Sequence, residues 1–445
     1  MRKSEGANQP ILEREFLMSS PSKLTLSALT EAVAGGAVAI RAITKLLPAG
    51  GASDKVFPPT YVKDRQSVTK YAMETRKVDG RDVETVLLDS VASQANRIEE
   101  ALLEGWRRGE LGFPVISVDF RGIIGLADLD QITSLQAPHR VADALLRDSI
   151  DEHGTPFRQT TVGKACTDAR PNHATAMYQY CPTALLFGVW DSTGPRGGLG
   201  TKFQRVLVSE IVGYDVLAGV KTSSRIDPTA IERKAGPVFE SKVDPTEWTS
   251  LENEAATEKG KPKLFSRKGA GDKGTPAAIN HGNIPPSIDA EAGGVTMSHA
   301  VHTVVLSLAG LRRLRFQHRA DGSPIPAEER DEAETAARTA LAALALAGVI
   351  YQQKNGYDLR SRSLLVASEP QAFELLHRDG GDPLRVVVDD PATLLREAVD
   401  AAATLGLRWE ANTVKLTPTP KLAHLIIESR KLKIAGEGTD DVGAD

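Results

Sequence analysis

GPRGGLGTK (194–202) is the run in this chain best suited to meeting phosphate. Its glycines would let a polyanion backbone approach, with amide N–H groups, Arg196 and Lys202 facing the phosphates. A P-loop requires G-x-x-x-x-G-K-[ST] opening a helix. Here Gly200 is followed by Thr201 and only then Lys202, between two strand-like stretches, so nucleotide hydrolysis is not expected. A solvated hairpin turn stays open as the plain alternative. Cys166, His173 and Cys181 are too widely spaced for a zinc knuckle and read as packed thiols. His299 and His302, three apart, would point to opposite faces of a strand. Asp119, in SVDF, and Asp168 are lone carboxylates; no G-x-S-x-G or H-E-x-x-H run accompanies them.

The elements that must position these residues read as α+β. Leu24, Leu26 and Ala28 alternate as a strand would, and 33–47 can be read as either helix or strand. ETVLLDSVASQANRIEEALLEGW (84–106) has the spacing of a helix, with Ser90 or Asp89 as its cap. Gln94 and Arg97 share one side of it and Asn96 lies on the other. Arg97 either reaches a ribose-phosphate strand or pairs with a carboxylate. FPVISVDFRGII (113–124) and CPTALLFGVW (181–190) read as strands, PHRVADALLRD (138–148) as a helix, and 154–183 as irregular. FQRVLVSEIVGYDV (203–216) completes a hairpin with an oversized basic loop. Residues 236–294 lack period and apolar content and read as a long flexible insertion. MSHAVHTVVLSLAGLRRLRF then reads as a strand, 327–351 as an Ala-rich helix with an acidic first turn, and 385–409 as a final α/β segment.

Composition bounds the partners. The 445 residues carry 54 Lys+Arg against 58 Asp+Glu, net −4, with 41% hydrophobic residues and two cysteines. A buried core is available, a disulfide scaffold is excluded, and a reducing cytosol fits. No apolar stretch approaches the ~18 residues of a membrane span, and the N-terminus lacks the apolar stretch of a secretion signal, so a cytoplasmic protein is expected. The basic residues segregate. Seven Lys/Arg face three acids over 37–76 (net +4), ten face six over 156–234 (again +4), and Arg312, Arg313, Arg315 and Arg319 sit together without an acid. The acids gather at 328–334, at 389–400 and in the tail. Segregation of this kind is what a polyanion groove on a near-neutral protein needs, although charge runs are also ordinary solvated faces.

VFPPTY, LLDSVASQANRIE, SLQAPHRVADALL, CPTALLFGVWDSTGPRGGLGTKFQRVLVSEIVGYDVLAGVK, GNIPPS and DLRSRSLL occur in that order across residues 24–368. Together they resemble the backbone subunit of type I-G (formerly I-U) CRISPR effector complexes, a Cas-seven branch of the RAMP superfamily. The resemblance implies an RRM-like (ferredoxin-like) palm with large finger and thumb insertions. Residues 1–22 would be a tail and 23–380 the core. Within that core 50–85 and 150–180 are finger candidates, and 220–295 the thumb candidate. An α/β segment at 381–435 and an acidic tail at 436–445 would follow.

It also implies a non-catalytic, cytoplasmic scaffold without cofactor or metal, multimerising along CRISPR RNA in a Cascade complex for antiviral defence. The target DNA strand would be read through the guide by base pairing, which needs no base-specific pocket. Further partners would be copies of itself, the large subunit and a fused Cas-five/Cas-six type subunit. The RNA-binding residues carried over are Gln94, Asn96 and Arg97; His139 and Arg140; Arg196, Gly197, Gly198 and Lys202; Lys221; and Arg360 and Arg362. The family pattern has His-Gly where this chain has Phe187-Gly188, and G-G-V-K where it has Ala218-Gly219-Val220-Lys221. Two other classes stay open: a metal-dependent endoribonuclease backbone subunit of type III character using Asp119 or Asp168, and an α+β enzyme binding a phosphorylated metabolite at 194–202.

Overall fold

The computed structural model describes residues 20–63, 67–194, 200–232, 234–266 and 273–434. Arg196, Gly197 and Gly198 lie outside the described residues. Two compact units divide the chain. The larger takes the chain up to Pro58, Met73–Leu217 and Met297–Leu422; the smaller takes Pro59–Ala72, Ala218–Thr296 and the chain from Ala423.

The larger unit is α+β, built on a ten-stranded sheet. Its strands are β1 (Ser22–Lys23), β2 (Ala37–Pro48), β3 (Met73–Val78), β4 (Arg81–Asp89), β5 (Leu207–Tyr214), β6 (His299–Ser307), β7 (Tyr357–Asp358), β8 (Leu364–Ala367), β9 (Phe373–His377) and β10 (Leu384–Val387). They lie in the order β1-β10-β9-β2-β6-β5-β4-β3, with β8 also on β2 and β7 on β8. Every pairing is antiparallel except β1 with β10. The larger unit's helices of six residues or more include α1 (Leu26–Glu31), α2 (Val91–Arg107), α3 (Thr161–Asp168), α4 (Thr175–Tyr180), α5 (Pro182–Phe187), α6 (Ala327–Lys354) and α7 (Pro391–Thr404). A second sheet orders Gln131–Thr133, Ile116–Asp119, Val414–Pro418 and Ser149–Ile150.

Period-2 patterning places β6. Ala300, His302, Val304 and Leu306 are buried, while His299, Val301, Thr303, Val305 and Ser307 are half-buried on the other face. The two histidines therefore part company as their spacing predicts. Helix α2 starts where Ser90 Oγ accepts the Ser93 N–H at 3.2 Å. It packs on α6, and Gly348 makes the close approach possible: a Cβ there would come within 2.7 Å of Ile98 Cγ2. Helix α6 has the length and composition of a membrane span, but most of it is buried inside the protein.

Several local expectations change. The alternation at Leu24–Ala28 gives way to α1, because Thr25 Oγ1 caps the turn at Ala28 N–H and Leu29 packs into the core. Residues 84–89 end strand β4, and α2 begins only after Ser90. CPTALLF is helix α5, opened by Pro182, and only Val189–Trp190 is strand; a short apolar run bounded by Gly188 fits either state. Residues 138–148 split into a 3-10 turn (Arg140–Ala142) and a short helix (Ala144–Arg147), since Asp143 caps Leu145 at 2.9 Å. The irregular reading of 154–183 missed α3 and α4. The C-terminal segment adds β10 to the main sheet and Val414–Pro418 to the second.

Within the smaller unit, 236–294 holds defined short strands instead of a structureless insertion. Lys221–Arg225 pairs with Ile284–Asp289, Phe239–Glu240 with Trp248–Thr249, and Thr257–Glu258 with Lys261–Pro262. Val238, Phe265 and Ala278 form a small buried cluster. Tight turns and backbone pairing carry this unit, and neither leaves a hydrophobic period in the sequence.

His302 gives the larger unit an acid sensitivity. It is fully buried, between Ser209 Oγ (2.7 Å from Nε2) and Tyr357 Oη (3.2 Å from Nδ1). Desolvation pulls its pKa from the usual 6.5 down to about 3. The folded state therefore refuses a proton that the unfolded chain accepts. The stability is whole above pH ~6.5 and falls as pH drops toward 3, by about 2 kcal/mol at pH 5. Urea titrations at pH 7, 6 and 5 should show that loss in the wild type and a flatter profile in His302→Gln. Parallel profiles would remove His302 as the cause.

Candidate nucleic-acid interface

Most of the sequence-predicted residues that the structure describes fall into two sets, one knitted into the fold around Asp89 and one lining a cleft. The first centres on Asp89, fully buried at the end of β4. Its carboxylate accepts from Ser93 Oγ (2.7 Å), Gln94 Nε2 (2.6 Å), Arg97 Nε (3.0 Å) and Arg360 Nη2 (3.5 Å). Arg97 also donates to the Leu359 carbonyl, and Arg360 Nη1 to the Leu88 carbonyl at 2.8 Å. Gln94 Oε1 accepts from Ser209 Oγ at 2.9 Å, which continues the polar chain to His302 and Tyr357. Gln94 is therefore corrected from an RNA contact to a buried strut, since its side chain is fully enclosed with donor and acceptor both bonded. Of the two readings of Arg97, the carboxylate pair is the one realised. Asn96, on the opposite side of α2, is exposed.

The second set lines a cleft of about 670 Å³ between the His139–Arg147 segment and the hairpin of Val189–Trp190 with Lys202–Phe203. Among the described residues its lining carries five cationic or titratable nitrogen groups, His139, Arg140, Arg147, Lys202 and Arg205, and one acid, Asp191. That acid is committed: both its oxygens lie within 2.8 Å of Arg158 Nη2. Lys202 has no acidic partner among the described residues; its Nζ sits 5.3 Å from the centroid of the Trp190 ring, whose residue is 55% exposed. Arg205 is held by carbonyls, Nε to Phe187 O at 3.1 Å and Nη1 to Val91 O at 3.3 Å. Burial and the neighbouring Arg140 guanidinium hold its pKa below the ordinary value. The hairpin leaves α5 through Gly188 at φ +82°, where a Cβ would stand 3.0 Å from the Arg205 amide nitrogen.

Arg140 supports the cleft wall more than it offers itself. Its guanidinium, 6% exposed with the rest of the residue, grips Glu99 through Nε (2.7 Å) and Nη2 (2.6 Å) and donates to Gly188 O at 3.1 Å. Burial pushes the Glu99 carboxyl up to about 7 against the pull of that guanidinium. Arg140 also lies 5.2 Å from the centroid of Phe187, so that phenylalanine, buried itself, packs beneath an arginine. His139, one residue earlier, is exposed.

The remaining candidates do not join the cleft. Lys221 belongs to the smaller unit, where it pairs with Asp289 at 3.3 Å. Arg362, exposed at φ +60°, lies over the Phe57 ring at 4.2 Å. Asp119 is held by Arg121, which keeps its carboxyl well below the usual range. Among the described residues no group of three His, Cys, Asp or Glu side chains is placed to hold a metal. Cys166 and Cys181 are buried free thiols whose pKa values burial raises. Sequence reasoning missed Trp190, Arg147 and Arg205 as lining residues. The signal available was the aromatic-then-lysine pair bracketing a Gly-rich loop, which becomes neighbours only if the hairpin register is known.

Residues 40–218 match the family model described as CRISPR-associated protein GSU0053. That segment runs from within β2 past β5 and includes the Asp89 carboxylate and the whole cleft lining. Over it, the chain is similar to a CRISPR-associated family. Among solved structures, the crystal structure of Thermofilum pendens Csc2 is similar over 85% of this chain and 86% of that one, at 10% identity and a TM-score of 0.25. No curated protein matches.

Proposed function

We propose that this chain is a non-catalytic CRISPR RNA-binding backbone subunit. Its copies multimerise along the guide in a type I-G Cascade complex that recognises target DNA by pairing. The convergence of His139 and Lys202, distant in sequence, on one cleft where Asp191, the one acid among the described lining residues, is already neutralised carries this reading. Phosphate contacts need cations not spent on internal pairs, and Lys202 is such a cation among the described residues. The family-model match over 40–218 supports the CRISPR assignment. An RRM-like palm is supported by the topology. With the β3–β4 and β7–β8 pairs and helices α3–α5 set aside as additions, the core runs β2, α2, β5, β6, α6, β9, with neighbours in the order fourth, first, third, second. The finger and thumb, the cytoplasmic setting and the other Cascade subunits as partners belong to the same reading.

Coexpression with a repeat–spacer transcript should yield a large particle with an A260/A280 ratio of a ribonucleoprotein. A discrete monomer or dimer free of RNA would overturn the reading. So would regular-interval cutting of complementary RNA with Mg²⁺ that Asp119→Ala or Asp168→Ala abolishes. In purified form, Lys202→Ala should weaken single-stranded RNA binding and reduce the slope of log K against log salt by about 0.7, one phosphate contact. An unchanged slope removes Lys202 from the interface.

A further inference from the structure

We propose that the cleft seats one unstacked nucleotide of a single-stranded RNA, its base against the Trp190 indole and its phosphate between Lys202 and His139. This rests on the RNA-binding reading and adds the recognised group. One face of the hairpin is spent on the interior: Val189 and Phe203 are buried, 6% and 4% exposed, whereas Trp190 on the opposite face keeps more than half its surface in solvent. Its place in the cleft lining leaves that indole surface open to a ligand with an apolar face.

The cleft's acid, Asp191, is taken up by Arg158, so the charge left around the indole is positive. Lys202, cross-strand partner of Trp190, places its ammonium 5.3 Å from the ring centroid, a cation–π arrangement that orients the indole. His139 is exposed on the facing wall, and Arg205 adds a guanidinium whose bonds go to carbonyls. A π surface flanked by cations suits a nucleotide, which presents a flat base and an anion about one ribose apart. An acidic peptide would use the cations and leave the indole idle. A cleft of about 670 Å³ is within the ~300–1,000 Å³ that holds a ligand of this size. Stacking asks only for a π face, so the seat tolerates any base, as a guide-holding protein requires.

The platform is rigid where it must be. Gly188 turns the chain at φ +82°, its carbonyl accepting from Arg140, and Phe187 O is held by Arg205. The indole is therefore mounted on a two-residue strand fixed from behind by two guanidinium groups.

The test uses the full chain with labelled rU12, rA12 and a 12-mer of abasic ribose-phosphate, in fluorescence anisotropy at low salt. Trp190→Ala should weaken rU12 and rA12 about 10-fold, Trp190→Phe should lose less than 3-fold, and the abasic strand should bind both forms equally weakly. Circular dichroism and melting verify that the variants stay folded. Wild-type affinity in Trp190→Ala, or an equal loss on the abasic strand, would overturn the stacking seat while RNA binding itself stood. Absence of rU12 binding by the wild type would bring down the RNA-binding reading, and this inference with it. Displacement of rU12 by UMP at a concentration near the strand's own Kd would make the cleft a free-nucleotide site and overturn the strand assignment.

Discussion

Arg140→Ala should destabilise the larger unit by about 3–5 kcal/mol, far more than loss of a surface contact, because it strands a buried carboxylate. Glu99 is 1% exposed and both its oxygens are bonded to this one guanidinium. The folded Glu99 carboxyl, at about 7, already titrates above the ~4.3 of a free glutamate. Its favourable contribution is thus full below the unfolded value and declines as pH rises through the folded one. Without the guanidinium's pull the folded value moves higher still, so the deficit of Arg140→Ala should be larger at pH 8 than at pH 5.

Arg140 also sits at φ +52°, a region that costs a non-glycine residue about 1 kcal/mol or more. Arg140→Gly should therefore be less damaging than Arg140→Ala. His139→Ala, at an exposed neighbour, should stay within about 0.5 kcal/mol of wild type. Denaturant titration of the four proteins settles the order. A loss under 1 kcal/mol for Arg140→Ala would mean that the pair contributes little and that the side chain is free to serve a ligand.

Asp89→Ala carries a comparable expected loss, about 3–5 kcal/mol, by the reverse route of leaving two half-buried cations and a buried amide without their anion. Arg97 and Arg360 both reach this carboxylate, and Gln94 and Ser93 donate to it. Ser209, His302 and Tyr357 are linked to it through Gln94, so β4, α2, β5, β6 and β7 share one polar network. Such a network is worth more than its separate bonds when every member is satisfied, and fails together. Asp89→Asn, which keeps one acceptor, should recover part of the loss. Amide exchange should speed at Leu88, Leu359 and Ser209 in Asp89→Ala. Faster exchange confined to the residue itself would argue that the network is a set of independent pairs.

These two variants mark the division between local and distant information. The strand of β6 is legible because alternation of His299-Ala-Val-His-Thr-Val-Val-Leu-Ser is a property of nine adjacent residues. The start of α2 is legible because Ser90 and the N–H it caps are three residues apart. Helix α5 is not, because a short apolar run enclosed on all sides shows no period to distinguish helix from strand. The smaller unit escapes for a related reason, since most of its described strands are two residues long and leave no pattern.

The site divides in the same way. Sequence alone determined that a cationic, glycine-rich hairpin and a P-H-R segment exist in this chain, and that no G-x-S-x-G or H-E-x-x-H run does. Only the tertiary structure decided which cations are spent and which remain. Arg140 meets Glu99 across 41 residues and Arg360 meets Asp89 across 271, whereas Lys202 meets an indole. The reason is physical: a side chain's charge is fixed by its type, but its availability depends on which counter-charge folding brings within a few ångströms, and that partner is rarely a sequence neighbour.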